Sequence, residues 1–176
     1  MLVKILIAVV IVALGLAAFI ATRPAEFRVT RTATFAAPAP AVFAQVNELR
    51  KWEAWSPWAK KDPQMKQAYA GPAAGAGAVT SWVGNKDVGE GRMSIVESRP
   101  AELIRFKLEF FKPLAATHSA EFTFKEQGGR TAVSWSMSGQ NNFIGKAMSV
   151  VFDMDKMVGG DFEAGLASLK TIVDKK

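Results

Sequence analysis

Apolar and polar residues alternate through much of the region from residue 27 to residue 138, with the two-residue period of half-buried β-strands. Between residues 104 and 110, every second residue is apolar and each residue between them is charged. The pattern predicts strands over residues 27–35, 67–70, 79–83, 91–98, 103–111, 118–124 and 132–138. Short turns rich in Gly, Pro and Asn join the later strands, which favours an antiparallel meander.

Helical periodicity replaces the alternation once within this region and again after it. Pro40 is well placed to open a short helix, because its fixed φ suits the first helical turn. The apolar residues of that helix recur at spacings of three and four: Val42, Phe43, Val46 and Leu49. Residues 144–175 predict one long amphipathic helix that closes the chain.

The long C-terminal helix has a wide apolar face and one predicted irregularity. Gly159-Gly160 predicts a kink, and Asp161 is a candidate N-cap for the second half of the helix. The apolar face consists of Ile144, Met148, Val151, Val158, Phe162, Leu166, Leu169 and Val173. A run of amphipathic strands that ends in such a helix predicts a curved sheet that grips the helix, with room for an apolar cavity between them.

The N-terminus is a separate element, because residues 5–22 form an 18-residue stretch without a charge. As a helix it would be about 27 Å long, near the lower limit for crossing a bilayer. A cleaved signal peptide is the alternative, but the bulky Phe19 close to its exit favours an uncleaved anchor. We therefore divide the chain into a membrane anchor or signal segment at 1–23 and a domain at 24–176.

The charges around the anchor give opposing indications of its orientation. Arg23, Arg28 and Arg31 lie after the apolar stretch and would favour a cytoplasmic domain. The short tail that begins the chain carries Lys4, as in signal anchors that export the domain attached to them. We expect a single-pass membrane protein whose domain lies on the exported, periplasmic side.

Composition narrows the possible functions. Hydrophobic residues make up 49% of the chain, which excludes disorder, and 12 Phe, 5 Trp and 7 Met against 1 Tyr suit either an ordinary core or an apolar pocket. The net charge is +6, but basic residues are spread from Lys4 to Lys176 without a dense block, so we expect no nucleic-acid partner. The chain has no cysteine, which removes disulfides, thiolate catalysis and Cys-based zinc sites.

Trp52, Trp55 and Trp58 lie close together around Pro57, which prevents a regular helix through the segment. The simpler interpretation is a compact aromatic plug that covers one end of the sheet. The alternative is a cavity mouth or a membrane-facing rim, because Trp favours interfaces.

Two ionisable residues are candidates for chemistry. His118, the single histidine, falls on the inward face of its strand, where it could act as a general base or orient a ligand. Asp155 falls on the apolar face of the last helix, where it would need a partner such as His118 or Arg92, unless the predicted kink turns it to the surface. A His118–Asp155 pair is therefore a hypothesis, and structural roles for both residues are the alternative.

Other signatures of chemistry are absent from the sequence. The glycines of residues 71–77 precede a strand rather than a Lys-Ser/Thr and a helix, so they do not form a phosphate loop. No metal-type cluster and no nucleophile elbow is present, and nothing in the sequence indicates a cofactor.

Several segments together resemble the SRPBCC (START-like, Bet v 1-like) superfamily, in its polyketide cyclase/dehydrase-like and lipid-transport branch. They are Arg31-Thr32-Ala33 leading to Pro38, Val42-Phe43-Ala44, Trp55-Ser56-Pro57-Trp58 with Asp62-Pro63, Gly89-Glu90-Gly91-Arg92-Met93, and residues 153–159 with 161–163. The resemblance covers about residues 27–174. It implies an α+β helix-grip fold, with a curved antiparallel sheet of about seven strands around the long C-terminal helix, preceded here by a transmembrane helix.

The resemblance also implies a cavity but no catalytic residue, because the superfamily has no shared catalytic signature. We expect a membrane-anchored domain that binds an apolar or lipid-like small molecule. The alternatives are a cyclase- or dehydratase-like enzyme using His118 and a ligand-free interaction domain. The expected cavity lining is Phe106, Leu108, Phe110, His118, Phe122, Trp135, Met137, Met154 and Phe162.

Overall fold

The computed structural model describes residues 1–174, so the predicted helix end at residue 175 and the Lys175-Lys176 pair lie outside the described residues. The helices are α1 (Leu2–Thr22), α2 (Ala39–Asn47), α3 (Pro57–Lys61), α4 (Phe143–Val151) and α5 (Met154–Val173), with a 3-10 helix at Leu49–Ala54. The strands are β1 (Glu26–Phe35), β2 (Lys66–Ala70), β3 (Val79–Val83), β4 (Glu90–Arg99), β5 (Leu103–Lys112), β6 (Ala116–Gln127) and β7 (Arg130–Gln140).

The seven strands form one antiparallel sheet in the order β1-β7-β6-β5-β4-β3-β2. Strands β2 to β7 therefore make a meander, and β1 pairs along the whole of β7, from Glu26 opposite Gln140 to Phe35 opposite Thr131. This confirms the predicted helix-grip architecture. The alternation places the strands correctly, although β4, β6 and β7 extend beyond their predicted bounds at both ends.

Helix α5 packs on the inner face of this sheet through its buried apolar residues. Phe162 stacks on Trp135 with ring centroids 4.1 Å apart, and Leu166 and Leu169 are buried beside them. Gly165 allows the close approach, because a Cβ there would lie 2.8 Å from Cζ3 of Trp135. The predicted contact between sheet and terminal helix is therefore present along the middle of α5.

The prediction of a single C-terminal helix is wrong in one respect. The helix is interrupted at Phe152-Asp153 and not at the glycine pair. Asp153 caps α5 by accepting a hydrogen bond from the Lys156 amide at 3.0 Å, which favours a new helix start. Gly159 and Gly160 lie inside the continuous α5. The candidate cap Asp161 instead pairs with Lys61 at 2.6 Å, and so ties α5 to α3.

The two halves of the inner sheet face are packed differently. In the half farther from α1, Phe35, Ile104, Phe122, Phe124 and Val133 are buried against the helices as a solid core. In the half nearer α1, Leu108, Phe110 and His118 are only partly buried. The register sets this division, since the first residues of β1 and the last of β7 meet beside the end of α1.

Helix α1 contributes little to the core, because Ile20 is its single buried residue. It is long and apolar enough to cross a membrane, a property that an N-terminal signal sequence shares. The rest of the domain does not depend on it for packing, apart from contacts with α4.

Candidate ligand cavity

A cavity of about 310 Å³ lies between the α1-proximal half of the sheet and the first half of α5. The floor is a row of neighbouring residues across four strands, in which Thr80 pairs with Met93, Met93 with Leu108, and Leu108 with His118. Ala120 extends the floor one row deeper, and its small side chain leaves space where its neighbours Phe106 and Met137 are large. The cavity therefore results from side-chain size on one set of inward positions.

Aromatic and aliphatic residues close the other sides of the cavity. Met154, Val158 and Phe162 cover it from α5. Trp52 and Trp58 form a wall beside them. At the end nearest α1, the cavity is bounded by Trp82, Val88 and Phe110.

The tryptophan segment is a packed plug, and two of its rings also face the cavity. Trp55 is fully buried, and its ring lies 5.8 Å from that of Trp135 in a T-shaped contact. The Trp52 indole donates to the Val46 carbonyl at 2.9 Å, which fixes the ring orientation. The interpretation as a packed plug therefore describes Trp55, and the interpretation as part of a cavity describes Trp52 and Trp58.

Two buried polar atoms of the lining have no hydrogen-bond partner among residues 1–174, namely Thr80 Oγ1 and His118 Nδ1. Unpartnered buried polar atoms cost free energy, but neither atom is open to the cavity, and Nδ1 packs against Gly139, so these atoms do not themselves define a ligand contact. Three inter-strand spacings separate Thr80 from His118, or about 14 Å along the sheet. The two groups therefore stand at opposite sides of the floor and do not converge on one point.

His118 lies in an aromatic environment. Its ring packs against Phe27 with centroids 5.0 Å apart and against Phe110 at 5.7 Å. Gly139 opens the space for the imidazole, because a Cβ there would overlap Nδ1. Burial lowers the pKa of His118 below its ordinary value of 6.5, so the imidazole is neutral at pH 7.

Asp155 does not meet His118. Arg31 reaches from the inner face of β1 and donates to both carboxylate oxygens of Asp155, at 3.1 and 2.8 Å. The guanidinium also donates to Glu163 at 2.6 Å, and it lowers the pKa of Asp155. Asp155 is thus a surface ion-pair residue that fastens α5 to the edge strand, and the hypothesised His118–Asp155 pair is replaced by Arg31–Asp155.

The structure brings together most of the residues expected to line the cavity. Phe106 and Phe122 are the exceptions, because they are fully buried in the core behind it. The residues of the expected lining that do face the cavity are Leu108, Phe110, His118, Trp135, Met137, Met154 and Phe162.

Sequence reasoning missed several other lining residues. They are Leu49, Trp52, Ser56, Trp58, Met65, Gln67, Thr80, Trp82, Val88, Met93, Ala120, Val158 and Asp161, of which the tryptophans of residues 52–58 were considered as a cavity mouth. Of these, Ala120 had a usable signal, because it is the small inward residue between two large ones on β6. No group of three potential metal ligands occurs within the part of the chain that the structure describes.

Comparison with protein families gives one match that spans nearly the whole domain. Residues 26–174 match the family described as polyketide cyclase / dehydrase and lipid transport. No curated protein matches the chain.

Solved structures share the fold at low sequence identity. A Chromobacterium violaceum protein superposes with a TM-score of 0.60 at 15% identity, covering 86% of this chain and 99% of its own. The Aha1 dimer from Colwellia psychrerythraea gives 0.60 at 12% identity, covering 84% and 96%. The di-domain ARO/CYC protein BexL of the BE-7585A biosynthetic pathway gives 0.61 at 18% identity, covering 88% of this chain and 52% of that one. Such different proteins on one fold show the architecture and leave function to the site.

Proposed function

The chain belongs to the polyketide cyclase / dehydrase and lipid transport family, and from this premise we propose that it binds an apolar or lipid-like small molecule in the cavity while α1 holds it at a membrane. The observation that carries the proposal is the cavity itself. Its volume of about 310 Å³ lies at the lower end of the range of small-molecule sites. A fully packed interaction domain would leave no space of this size between the sheet and α5.

The lining supports an apolar guest rather than a polar one. Most of its area comes from tryptophan, phenylalanine, methionine and aliphatic side chains, for which burial of apolar surface is the main source of affinity. The polar residues of the lining are few, namely Ser56, Gln67, Thr80, His118 and Asp161. They suit a molecule that is mainly hydrocarbon and carries one or two hydrogen-bonding groups.

Catalysis by a cyclase- or dehydratase-like mechanism is the second candidate, and His118 favours it. A neutral imidazole that faces a cavity is a suitable general base. Against this, the nearest unpartnered polar group lies on the far side of the floor, and Asp155 is engaged by Arg31. Because residues 1–174 show no second side chain bonded to the imidazole, binding is the function we propose.

The proposed location depends on α1. A helix of 21 residues, almost wholly exposed in the isolated chain, is stabilised by hydrocarbon and not by water. We propose an uncleaved single-pass anchor with the domain on the exported side. Protease protection of the full chain in sealed membrane vesicles tests this orientation.

Native mass spectrometry of the full chain, purified in detergent and incubated with membrane lipid extract, tests the proposed binding. Wild type should carry an adduct whose mass identifies the class of guest. Ala120→Phe should lose the adduct, because the added ring fills the floor of the cavity at a cost in stability of about 1–3 kcal/mol. Ser119→Phe is the matched control, since residue 119 is the exposed neighbour of Ala120 on the same strand and faces away from the cavity.

Val158→Trp fills the cavity from α5 and replaces Ala120→Phe if that variant fails to fold. Loss of the adduct in a folded filling variant, with retention in Ser119→Phe, supports the proposal. Equal adducts in all proteins would place the lipid on the surface and reject the cavity as its site.

A further inference from the structure

At the end of the domain that carries α4, the surface is unusually apolar. Helix α4 has no buried residue, and Phe143, Ile144, Met148 and Val151 are all exposed. With Val150, this nine-residue helix has five exposed large apolar side chains, which water does not stabilise. Phe152, in the linker to α5, continues the same apolar surface.

The sheet register places a second apolar feature at this end. The end of β5 and the β5–β6 turn after it carry exposed Phe111 and Leu114, at 51% and 49%. Phe110 pairs with Ala116, and His118 with Gly139, so this turn lies at the same end of the sheet as the end of β7, from which α4 begins. Most exposed large apolar side chains outside α1 thus lie at one end of residues 1–174, and the others are Val83 at the end of β3, Val96 in β4 and Met157 in α5.

The same end is tied closely to the proposed membrane anchor. Only residues 23–25 separate α1 from β1, which limits the distance between Thr22 and Glu26 to about 14 Å even when the link is fully extended. The Asn141 amide, just before α4, donates to the Ala25 carbonyl at 2.7 Å. Lys146, the single charged residue of α4, donates to the Ala21 carbonyl of α1 at 3.0 Å. Any bilayer that contains α1 must therefore come close to α4.

We propose that α4, Phe152 and the β5–β6 turn dock on the bilayer that holds α1 and lie in its interfacial layer. A short apolar helix beside a transmembrane segment, with its lysine at the level of the helix end, is suited to that layer. This inference rests on the proposed anchoring and deepens it, because it names the membrane surface as the partner of the domain. The cavity lies in the half of the sheet that faces this end, so the docked surface lies between the cavity and the lipid.

Nitroxide labels on the full chain, reconstituted in vesicles of phosphatidylcholine and phosphatidylglycerol, test the docking. The chain has no cysteine, so single labels are introduced directly as Val151→Cys on α4 and Leu114→Cys in the turn. Val96→Cys is the matched control, because Val96 is 56% exposed but lies outside the proposed surface. Ile11→Cys reports whether α1 is in the bilayer at all.

Accessibility to oxygen and to a water-soluble nickel complex gives the environment of each label. We expect the ratio of oxygen to nickel accessibility to be at least threefold higher at positions 151 and 114 than at position 96. The ratio should be highest at position 11. If the label at position 11 is in hydrocarbon while those at 151 and 114 have the same accessibilities as that at 96, the docking proposal is wrong. The proposed membrane anchor is then still supported. If position 11 also matches 96, the anchor of the proposed function fails as well.

A second copy of the chain is the other possible cover for α4, and the same labels detect it. Burial in a protein interface would protect position 151 from both oxygen and nickel, whereas the bilayer excludes only nickel. Protection from both reagents would reject the membrane as the partner. The two cysteine sites lie on different elements, so a local defect at one of them leaves the other to decide.

Discussion

His118 shows how one residue can be set by several neighbours at once. Gly139 leaves the space for its ring, and Phe27 and Phe110 surround it. This environment disfavours the imidazolium ion, since burial removes the water that would stabilise the charge. The imidazole is thereby kept in its neutral form.

The pH dependence of folding should report this environment. The unfolded chain binds a proton at His118 below about pH 6.5, whereas the folded chain resists it to lower pH, so the free energy of unfolding falls as pH decreases from 7 to 5. Urea unfolding of wild type and His118→Gln, followed by tryptophan fluorescence, measures the effect. The variant should lose most of the decrease over this range.

Two carboxyl groups with lowered pKa values act mainly below that range. Glu109 and Asp155 have lowered pKa values, so their contribution is lost below their ordinary values of 4.5 and 3.8. An identical pH slope for wild type and His118→Gln between pH 7 and 5 would contradict the buried, neutral imidazole.

For single residues, the sequence predicted the face of the sheet on which a side chain lies better than how deeply the side chain is buried. Alternation correctly placed Phe106, Phe122 and His118 on the inner face of the sheet. It did not separate core from cavity, because that depends on where α5 crosses the strands and on small neighbours such as Ala120. Thr80 was missed because β3 is short and its inward row becomes visible only through pairing with Met93.

The elements show where local signals compete. Gly159 and Gly160 indicated a kink in the last helix, yet α5 continues through both. Gly159 is needed for another reason, because a Cβ there would overlap the Arg31 guanidinium that bonds to Asp155 and Glu163. The break occurs instead at Asp153, where a side-chain cap is available. Capping and tertiary contact therefore decided the helix bounds, and glycine content did not.

The two glycines of α5 should respond differently to alanine. Gly160 has open space around its Cβ position, so Gly160→Ala should raise the free energy of unfolding by about 0.5–1 kcal/mol through helix propensity. Gly159→Ala should lose this gain or reverse it, because the methyl group displaces Arg31. Thermal unfolding of both variants by circular dichroism makes the comparison. Equal stabilisation at both positions would show that the Arg31 network contributes nothing to holding α5.

At the scale of the whole molecule, the sheet combines two kinds of packing. The half farther from α1 is a solid aromatic and aliphatic core, and the half nearer α1 encloses the cavity. The two halves are continuous, because Trp135, Met137 and Phe162 belong to the buried core and also line the cavity. The order of strands and the closing helix predicted this architecture, but the size of the space depends on ring positions that only the folded structure gives.

The most direct measurement of the central claim uses the protein's own tryptophans. Trp52, Trp58, Trp82 and Trp135 line the cavity, and α1 has no tryptophan. A lipid with a brominated acyl chain, added to the detergent-solubilised full chain, should quench this fluorescence because bromine acts at short range. We expect strong, saturable quenching in wild type and Ser119→Phe and little in Ala120→Phe. Absent quenching in wild type, or equal quenching in all three proteins, would contradict an apolar guest inside the cavity.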